Sequence, residues 1–339
     1  MMRIKRILLI IGILILSLGA SFLLWGARHP KEFLLAFSSN GPINSLVNKL
    51  TASPINILVL GIAGQGSRGG LLTDTIMVVQ LNPAQQKIAL ISIPRDLYVK
   101  NPFNNQPIKI NSIYASENTI KSFPQATSFQ NITSKVEDIT GLPINYTIIF
   151  DLEGFGQLVD LVGGVTIWLD ENVYDPTLVN PYNPTQPFYL AKGWHNLDGA
   201  LAIKLVRSRY ASSGDFFRIK HQQQIMLSLK DKLLNLPQTM NLSTIASLWR
   251  TLQNHFVTDL NINEAINLVR FIKNNNIANY RLVTMVLDNK PPNQLLISTS
   301  IPLSSDNQQT MYALLPKLGF EKYDEIHKFI QNQILLDNE

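Results

Sequence analysis

Two apolar runs, Thr75–Leu81 and Lys87–Ile93, are separated by only five residues, and these begin with Asn82-Pro83. A connection that short admits only an antiparallel hairpin, because parallel strands need a crossover of a dozen residues or so. The second run stops at Pro94, which has no N–H for a ladder, and Arg95 and Asp96 follow at once. If the turn is centred between Leu81 and Lys87, Asp74 at the start of one strand faces Pro94 at the end of the other, and paired positions lie about 5 Å apart. Asp74, Arg95 and Asp96 are therefore predicted to meet at one end of a sheet. Two carboxylates and a guanidinium in so small a space suit a magnesium-phosphate site. The plain alternative is a strand end with a solvated Arg-Asp pair.

The N-terminus assigns a compartment. Arg3, Lys5 and Arg6 precede an uncharged apolar run over residues 7–27, long enough at about 1.5 Å per residue to cross a hydrocarbon core of about 30 Å. Positive charge ahead of the span places residues 1–6 in the cytoplasm and everything after the span outside, with Trp25 as an interfacial anchor. A cleaved signal peptide is the alternative, but the run exceeds a usual h-region and no A-x-A site follows it. Residues 28–53 read as a connector and 54–339 as one extracytoplasmic domain. With no cysteine there is no disulfide framework and no thiolate metal site. The net charge of +5 is too small to choose between anionic lipid, phosphate-bearing substrate and nucleic acid. The topology does choose: with about six residues inside, no nucleic-acid partner is expected.

Along the domain, Ile55–Gly61 reads as a strand and is followed by a glycine-rich loop to Gly70. Thr127–Thr140 reads as a helix closed by Gly141, Asn145–Phe150 as a strand, Asp151–Val162 as a helix ending at Gly163-Gly164, and Val165–Leu169 as a strand. The Pro- and Asn-rich stretch Asp175–Pro187 reads as a long surface loop. Asp198 caps a helix to about Val206, and Asp215 opens a longer one to about Leu236. Beyond Leu242 the pattern predicts a helix, a short strand near Phe256-Val257, a helix over Asn263–Lys273, a strand over Arg281–Leu287 and a last helix over Tyr323–Leu335. This alternation predicts an α/β fold, a mixed central sheet in a layered α/β/α arrangement, preceded by one transmembrane helix.

In the helix from Asp215, residues Asp215, Arg218, Gln222, Ile225, Met226, Leu229 and Leu233 share one stripe. The stripe is polar for two turns and apolar afterwards. Because the apolar half must face a core, the polar half is expected to turn inward, at a helix N-terminus that favours anions. Arg207 and Arg209 stand just upstream, spaced to share a face if the chain is extended there. A helix end emerging into solvent is the alternative.

Other patterns fail their own tests. Gly64-x-Gly66-x-x-Gly69 is followed by a strand, whereas a dinucleotide fingerprint opens a helix. The five histidines lack metal-ligand spacing, and Ser67 lacks the setting of a nucleophile elbow.

Taken as a set, Thr73-Asp74-Thr75, Ser92-Ile93-Pro94-Arg95-Asp96, Lys109-Ile110-Asn111, Asp151-Leu152-Glu153-Gly154-Phe155, Gly163-Gly164-Val165, Arg207-x-Arg209 and Gly214-Asp215-Phe216 with Arg218 and Gln222-Gln223 resemble the LytR-CpsA-Psr family in order and spacing. The resemblance runs from about Asn56 to Leu236 and includes the anchor. It implies an extracytoplasmic, Mg2+-dependent phosphotransferase that moves a glycopolymer from a polyprenyl-pyrophosphate carrier to a hydroxyl on peptidoglycan or another envelope acceptor. Carried onto matching positions, it implies Asp74 and Asp96 as magnesium-associated carboxylates, with Arg95 beside them. Arg95, Arg207, Arg209 and Arg218 would clamp the pyrophosphate, with Gln222 assisting and Lys109 nearby. Many members carry an Arg two residues before the first Asp; here that residue is Leu72, and Arg68 in the glycine loop is the candidate substitute. Two other readings use the same pocket: a non-catalytic envelope regulator that binds the lipid pyrophosphate, and a polyprenyl-pyrophosphate hydrolase with water as acceptor.

Overall fold

The computed structural model describes residues 53–64, 67, 69–118, 128–209, 215–234, 254–260, 264, 268, 280–302 and 309–335. The anchor expected over 7–27, the connector, Arg68, the helix after Leu242 and most of Asn263–Lys273 lie outside the described residues. Among the described residues, no helix is long and apolar enough to cross a membrane.

In chain order the strands and helices begin with β1 (Ile55–Ile62), β2 (Thr73–Asn82), β3 (Lys87–Ser92), β4 (Tyr98–Lys100), β5 (Pro107–Lys109), α1 (Ile113–Glu117) and α2 (Gln130–Thr140). Then come β6 (Tyr146–Asp151), α3 (Leu152–Leu161), β7 (Val165–Leu169), β8 (Val173–Val179), β9 (Pro187–Leu190), β10 (Gly193–Leu197), α4 (Gly199–Arg207) and α5 (Asp215–Leu234). The chain closes with β11 (Phe256–Thr258), β12 (Arg281–Val286), β13 (Leu296–Pro302), β14 (Thr310–Pro316) and α6 (Asp324–Leu335). Contacts divide them into two compact units, one from Asn56–Gln80, Ala89–Leu152 and Leu282–Glu339, the other including Leu81–Ile88 and Glu153–Arg281.

The first unit is built on strands in the order β6-β1-β2-β3-β12. β1 runs parallel to β6, with Leu58 level with Thr147 and Leu60 with Ile149, whereas β2 and β3 form the expected hairpin, so the sheet is mixed. Leu58, Leu60, Val78, Ile91 and Ile149 are fully buried, as strands covered on both faces require. The hairpin register differs from expectation by one residue. β2 extends to Asn82, the turn occupies 83–86, and the Ile93 N–H donates to the Ile76 carbonyl at 2.9 Å. On that count Arg95, not Pro94, stands level with Asp74.

In the same unit, α2 turns Ile132, Val136 and Ile139 inward and ends at Gly141 with φ 68°, as a left-handed cap requires. His327 on α6 bonds the Asp138 carbonyl through Nε2 at 2.8 Å, joining the two helices. Lys135 is also buried, and its ammonium donates to Glu321 at 2.7 Å. Glu321 further accepts the Lys100 N–H and the Tyr323 hydroxyl, each at 2.8 Å.

Besides the hairpin register, one expectation is corrected. The stretch Asp175–Pro187 is not an open loop: β8 and β9 pair antiparallel across it, with a register shift between Asp175 and Val179. The bulge accommodates Pro176, the residue whose missing N–H made the stretch read as loop. The hairpin β13–β14 is an addition, since the sequence pattern suggested no element there. Its strand β13 alternates only weakly, with Ile297 exposed among Ser and Thr.

Burial pushes the Glu321 carboxyl up, but hydrogen bonds from Lys135, the Lys100 N–H and Tyr323 outweigh it and hold the group below its usual range. A depressed folded-state pKa contributes stability that is complete above the unfolded value of about 4.3 and is lost as pH falls through the folded value. Denaturation of parent and Glu321→Gln across pH 3–7 is therefore expected to show a stability gap at neutral pH that narrows with acid.

Candidate active site

In the first unit the predicted convergence is present as a chain of alternating charges. Asp74 sits at the start of β2 with its side chain 35% exposed, and Arg95 Nη1 donates to its Oδ1. Arg95 Nε also lies 3.7 Å from Asp96 Oδ2, and Lys109 Nζ donates to Asp96 Oδ1 at 2.6 Å. The order is Asp74, Arg95, Asp96, Lys109, with the carboxylates and cations balanced two against two.

Backbone contacts hold this chain in place. After β3, a turn closed by Leu97 N–H to Pro94 O at 3.1 Å reverses the strand. The Arg95 and Asp96 carbonyls are then taken by the N–H groups of Asn111 at 3.3 Å and Leu314 at 3.0 Å. Lys109 ends β5, which pairs with β4 so that Lys109 is level with Tyr98. The buried Thr73 hydroxyl donates to the Asn111 carbonyl at 3.3 Å, tying the Asp74 strand to the Lys109-Ile110-Asn111 turn. The acids and bases thus ride on a rigid frame. The glycine loop before β2 is closed by Gly64 N–H to Gly70 O at 3.0 Å. A Cβ on Gly70 would lie 2.4 Å from the Gly64 carbonyl oxygen, so this closure requires glycine. Leu72 is half-buried at its exit.

The remaining predicted residues belong to the second unit. Asp198 accepts the Leu201 N–H at 2.9 Å and caps α4 as expected. α4 ends at Arg207, and Ser208 is extended, with φ −65° and ψ 133°. Arg207 and Arg209 are accordingly exposed on either side of a buried Ser208, as their spacing predicted. Arg218 lies differently: it is 1% exposed, and its Nη2 is 2.6 Å from Asp215 Oδ1. Arg218 turns inward as expected, but Phe217, Ile219, His221 and Gln223 off the stripe are buried too, and the guanidinium meets its own helix's carboxylate. Gln222 Nε2 reaches the Val206 carbonyl at 3.5 Å, bracing α5 against the end of α4.

One residue escaped the sequence reading. Asp175, 2% exposed, accepts the Thr177 N–H at 2.9 Å, the Thr177 hydroxyl at 2.6 Å and the Ser208 hydroxyl at 3.0 Å. Burial opposes its charge, yet these bonds and the Arg209 N–H hold its pKa below the usual range. Asp175 therefore fixes the backbone between the two exposed arginines. Its only sequence signal was the Asp-Pro-Thr step, which equally marks a turn. His221 is buried against Phe217, and burial lowers its pKa, consistent with a structural role.

A model of the LytR_cpsA_psr family matches residues 30–310, and the chain belongs to that family. Its relatives include a Bacillus mycoides protein named polyisoprenyl-teichoic acid–peptidoglycan teichoic acid transferase TagU, 30% identical over 70% of this chain and 69% of that one. The Staphylococcus aureus regulatory protein MsrR is 28% identical over 70% of this chain and 65% of its own length. Among solved structures, TagT bound to LIIa-WTA aligns with a TM-score of 0.58 at 20% identity, covering 84% of this chain and 91% of that one. The shared mixed α/β fold follows from that likeness.

The placements separate structural from exposed arginines. Arg218→Ala leaves Asp215 in a buried site and is expected to cost about 3–5 kcal/mol of unfolding free energy. Arg207→Ala and Arg209→Ala, at exposed positions, are expected to change it by less than about 0.5 kcal/mol. Asp175→Ala should cost about 2–3 kcal/mol and speed amide exchange at Ser208 and Arg209. Urea titration and hydrogen exchange measure these effects.

Proposed function

We propose that this chain is a membrane-anchored phosphotransferase that moves a glycopolymer from a polyprenyl-pyrophosphate carrier to a hydroxyl of peptidoglycan or another envelope polymer. The observation that carries the reading is the Asp74-Arg95-Asp96-Lys109 chain at one end of the sheet. The family membership and the transferase name of the TagU relative support it.

Phosphoryl transfer needs positioning and charge neutralisation more than covalent help, and planar guanidinium forks suit phosphate oxygens. Arg95 swings from Asp74 to the pyrophosphate, and Lys109 adds a point charge. In the second unit, Arg207 and Arg209 are proposed as phosphate ligands, with Arg218 and Gln222 supporting the helix behind them. The acceptor hydroxyl oxygen bonds to the phosphorus that carries the glycan. The bond from that phosphorus to the bridging oxygen breaks, leaving polyprenyl phosphate. Asp74, more exposed than Asp96, takes the hydroxyl proton. The anchor over 7–27 keeps the domain beside a donor that stays in the bilayer.

The donor set also suits magnesium. Among the described residues, no cluster of three or more acidic, His or Cys side chains could cage a metal, but magnesium usually binds through one or two carboxylates plus substrate phosphates and water. Asp74 and Asp96 would hold it, and it would neutralise charge developing on the phosphate oxygens. Because the protein supplies so few ligands, the metal is expected to bind together with pyrophosphate. Calorimetry should show weak Mg2+ binding to the chain alone, at least about tenfold tighter with inorganic pyrophosphate present.

Leu72, where many members carry Arg, favours a second reading, a regulator that binds the lipid pyrophosphate without turning it over. Arg95→Ala decides: the transferase reading expects a loss of magnesium-dependent turnover of about 100-fold or more with the fold intact. Equal turnover in variant and parent would remove catalysis from this site. Free glycan phosphate in place of glycan joined to acceptor would identify a hydrolase.

A further inference from the structure

In the first unit, two exposed turns lie side by side. The hairpin β4–β5 carries Phe103 in its turn, 75% exposed and the most exposed large apolar side chain among the described residues. The turn from β14 into α6 carries Leu318 and Phe320, 45% and 40% exposed. The Lys100 N–H donates to Glu321 Oε1 at 2.8 Å, and the rings of Tyr98 and Phe320 have centroids 6.1 Å apart, so the two turns are held together. Each turn is also closed on itself. Asn101 accepts the Asn105 N–H on its carbonyl at 2.8 Å and the Phe103 N–H on its side chain at 3.0 Å. In the other turn, the Gly319 N–H donates to the Pro316 carbonyl at 2.9 Å and the Lys322 N–H to the Gly319 carbonyl at 3.1 Å. Glu321 has φ 61°, a left-handed backbone unfavourable for a residue with a side chain, and the three bonds to its carboxylate offset that cost. The apolar side chains are thus displayed on braced turns, and grouped apolar exposure of this kind marks a contact surface.

Cations accompany them. Residues 98–107 and 316–323 contain Lys100, Lys317 and Lys322 and a single acid, Glu321. The three lysines are exposed, and none is ion-paired with another described residue, whereas Glu321 is already engaged by the buried Lys135. Asp324 and Glu325 follow in the first turn of α6, where the helix N-terminus favours them. This combination selects an occupant. A second copy of the chain would set three ammoniums against three. A soluble polyanion would neutralise the lysines and leave Phe103, Leu318 and Phe320 in water. An anionic bilayer surface meets both demands, with headgroup phosphates for the lysines and the acyl boundary for the apolar side chains between them.

We propose that the β4–β5 turn and the β14–α6 turn dock together on the anionic lipid surface of a membrane. The same hairpin leads to the acid-base chain: Lys109 ends β5, and Asp96 precedes Lys100 by four residues, at most about 14 Å of extended strand. Docking therefore brings Asp96 and Lys109 near the level of the headgroups, where a pyrophosphate carried on a membrane lipid lies. That consequence rests on the transferase assignment, but docking itself does not.

The chain has no cysteine, so a nitroxide on Asn104→Cys reports the hairpin turn alone, and one on Ser300→Cys in β13 reports a position outside both turns. The full-length protein is reconstituted in vesicles of phosphatidylglycerol with phosphatidylcholine, and in phosphatidylcholine alone. In the anionic vesicles, collision of the Asn104 label with a neutral, water-soluble nickel chelate is expected to fall about fivefold or more relative to detergent, with the Ser300 label unchanged. High salt should restore access, and phosphatidylcholine alone should give no protection. Each lysine is expected to contribute about fivefold to the docked population. Lys100→Glu with Lys317→Glu and Lys322→Glu, or Phe103→Ser with Leu318→Ser, should remove the protection without changing thermal unfolding. An accessible label in anionic vesicles, or equal protection in neutral ones, would overturn the proposal. So would protection that is lost as the protein is diluted into more lipid, the mark of a second copy, or protection by soluble poly(glycerol phosphate) with none in vesicles. Arg95→Ala is measured alongside: loss of transfer with an accessible label in the parent removes the docking surface and keeps the transferase. A protected label with transfer unaffected by Arg95→Ala does the reverse.

Discussion

Arg95 stands between two carboxylates, and the rest of the site depends on that placement. An isolated pair of carboxylates at the end of a buried strand would repel each other in a medium less polar than water. With Arg95 between Asp74 and Asp96 and Lys109 on the far side of Asp96, every charge has an opposite neighbour. The arrangement is charge-balanced by the protein's own side chains. In the proposed function, a pyrophosphate would take over the two cations and a metal would be held by the two carboxylates, so that charge balance would be preserved. The frame need not move, because the turn after β3 is tied through backbone bonds to Asn111 and Leu314.

Much of this was legible in the chain because the constraint is local. A five-residue link between two apolar runs leaves only a hairpin, and a hairpin brings residues about twenty apart to one place. The exact register was not legible. β2 carries one residue more than its apolar pattern suggests, since Asn82 is buried in the ladder despite its polarity. That shift put Arg95 level with Asp74, which draws the ion pair tighter than the expected facing of Asp74 and Pro94.

Where sequence reasoning fell short, a competing signal was present each time. Pro176 and the many Asn residues hid the β8–β9 pairing, because a bulge and a loop use the same residues. The stripe on α5 showed that Arg218 turns inward, but 3.6-residue periodicity cannot tell a guanidinium reaching for a ligand from one held by Asp215 a turn earlier. Asp175 was invisible as a site element, since its partners Ser208 and Arg209 lie more than thirty residues away. The two turns joined at Lys100 and Glu321 became one surface only once the fold had brought them together.

The central claim is that the Asp74-Arg95-Asp96-Lys109 chain receives a metal-pyrophosphate. Its most direct test is a crystal structure of the protein with Mn2+ and a short polyprenyl pyrophosphate. The account predicts an anomalous metal peak ligated by Asp74 or Asp96 and by a phosphate oxygen, with Arg95 turned from Asp74 onto the pyrophosphate. A metal and pyrophosphate bound elsewhere, with the Arg95–Asp74 and Lys109–Asp96 pairs intact, would contradict it.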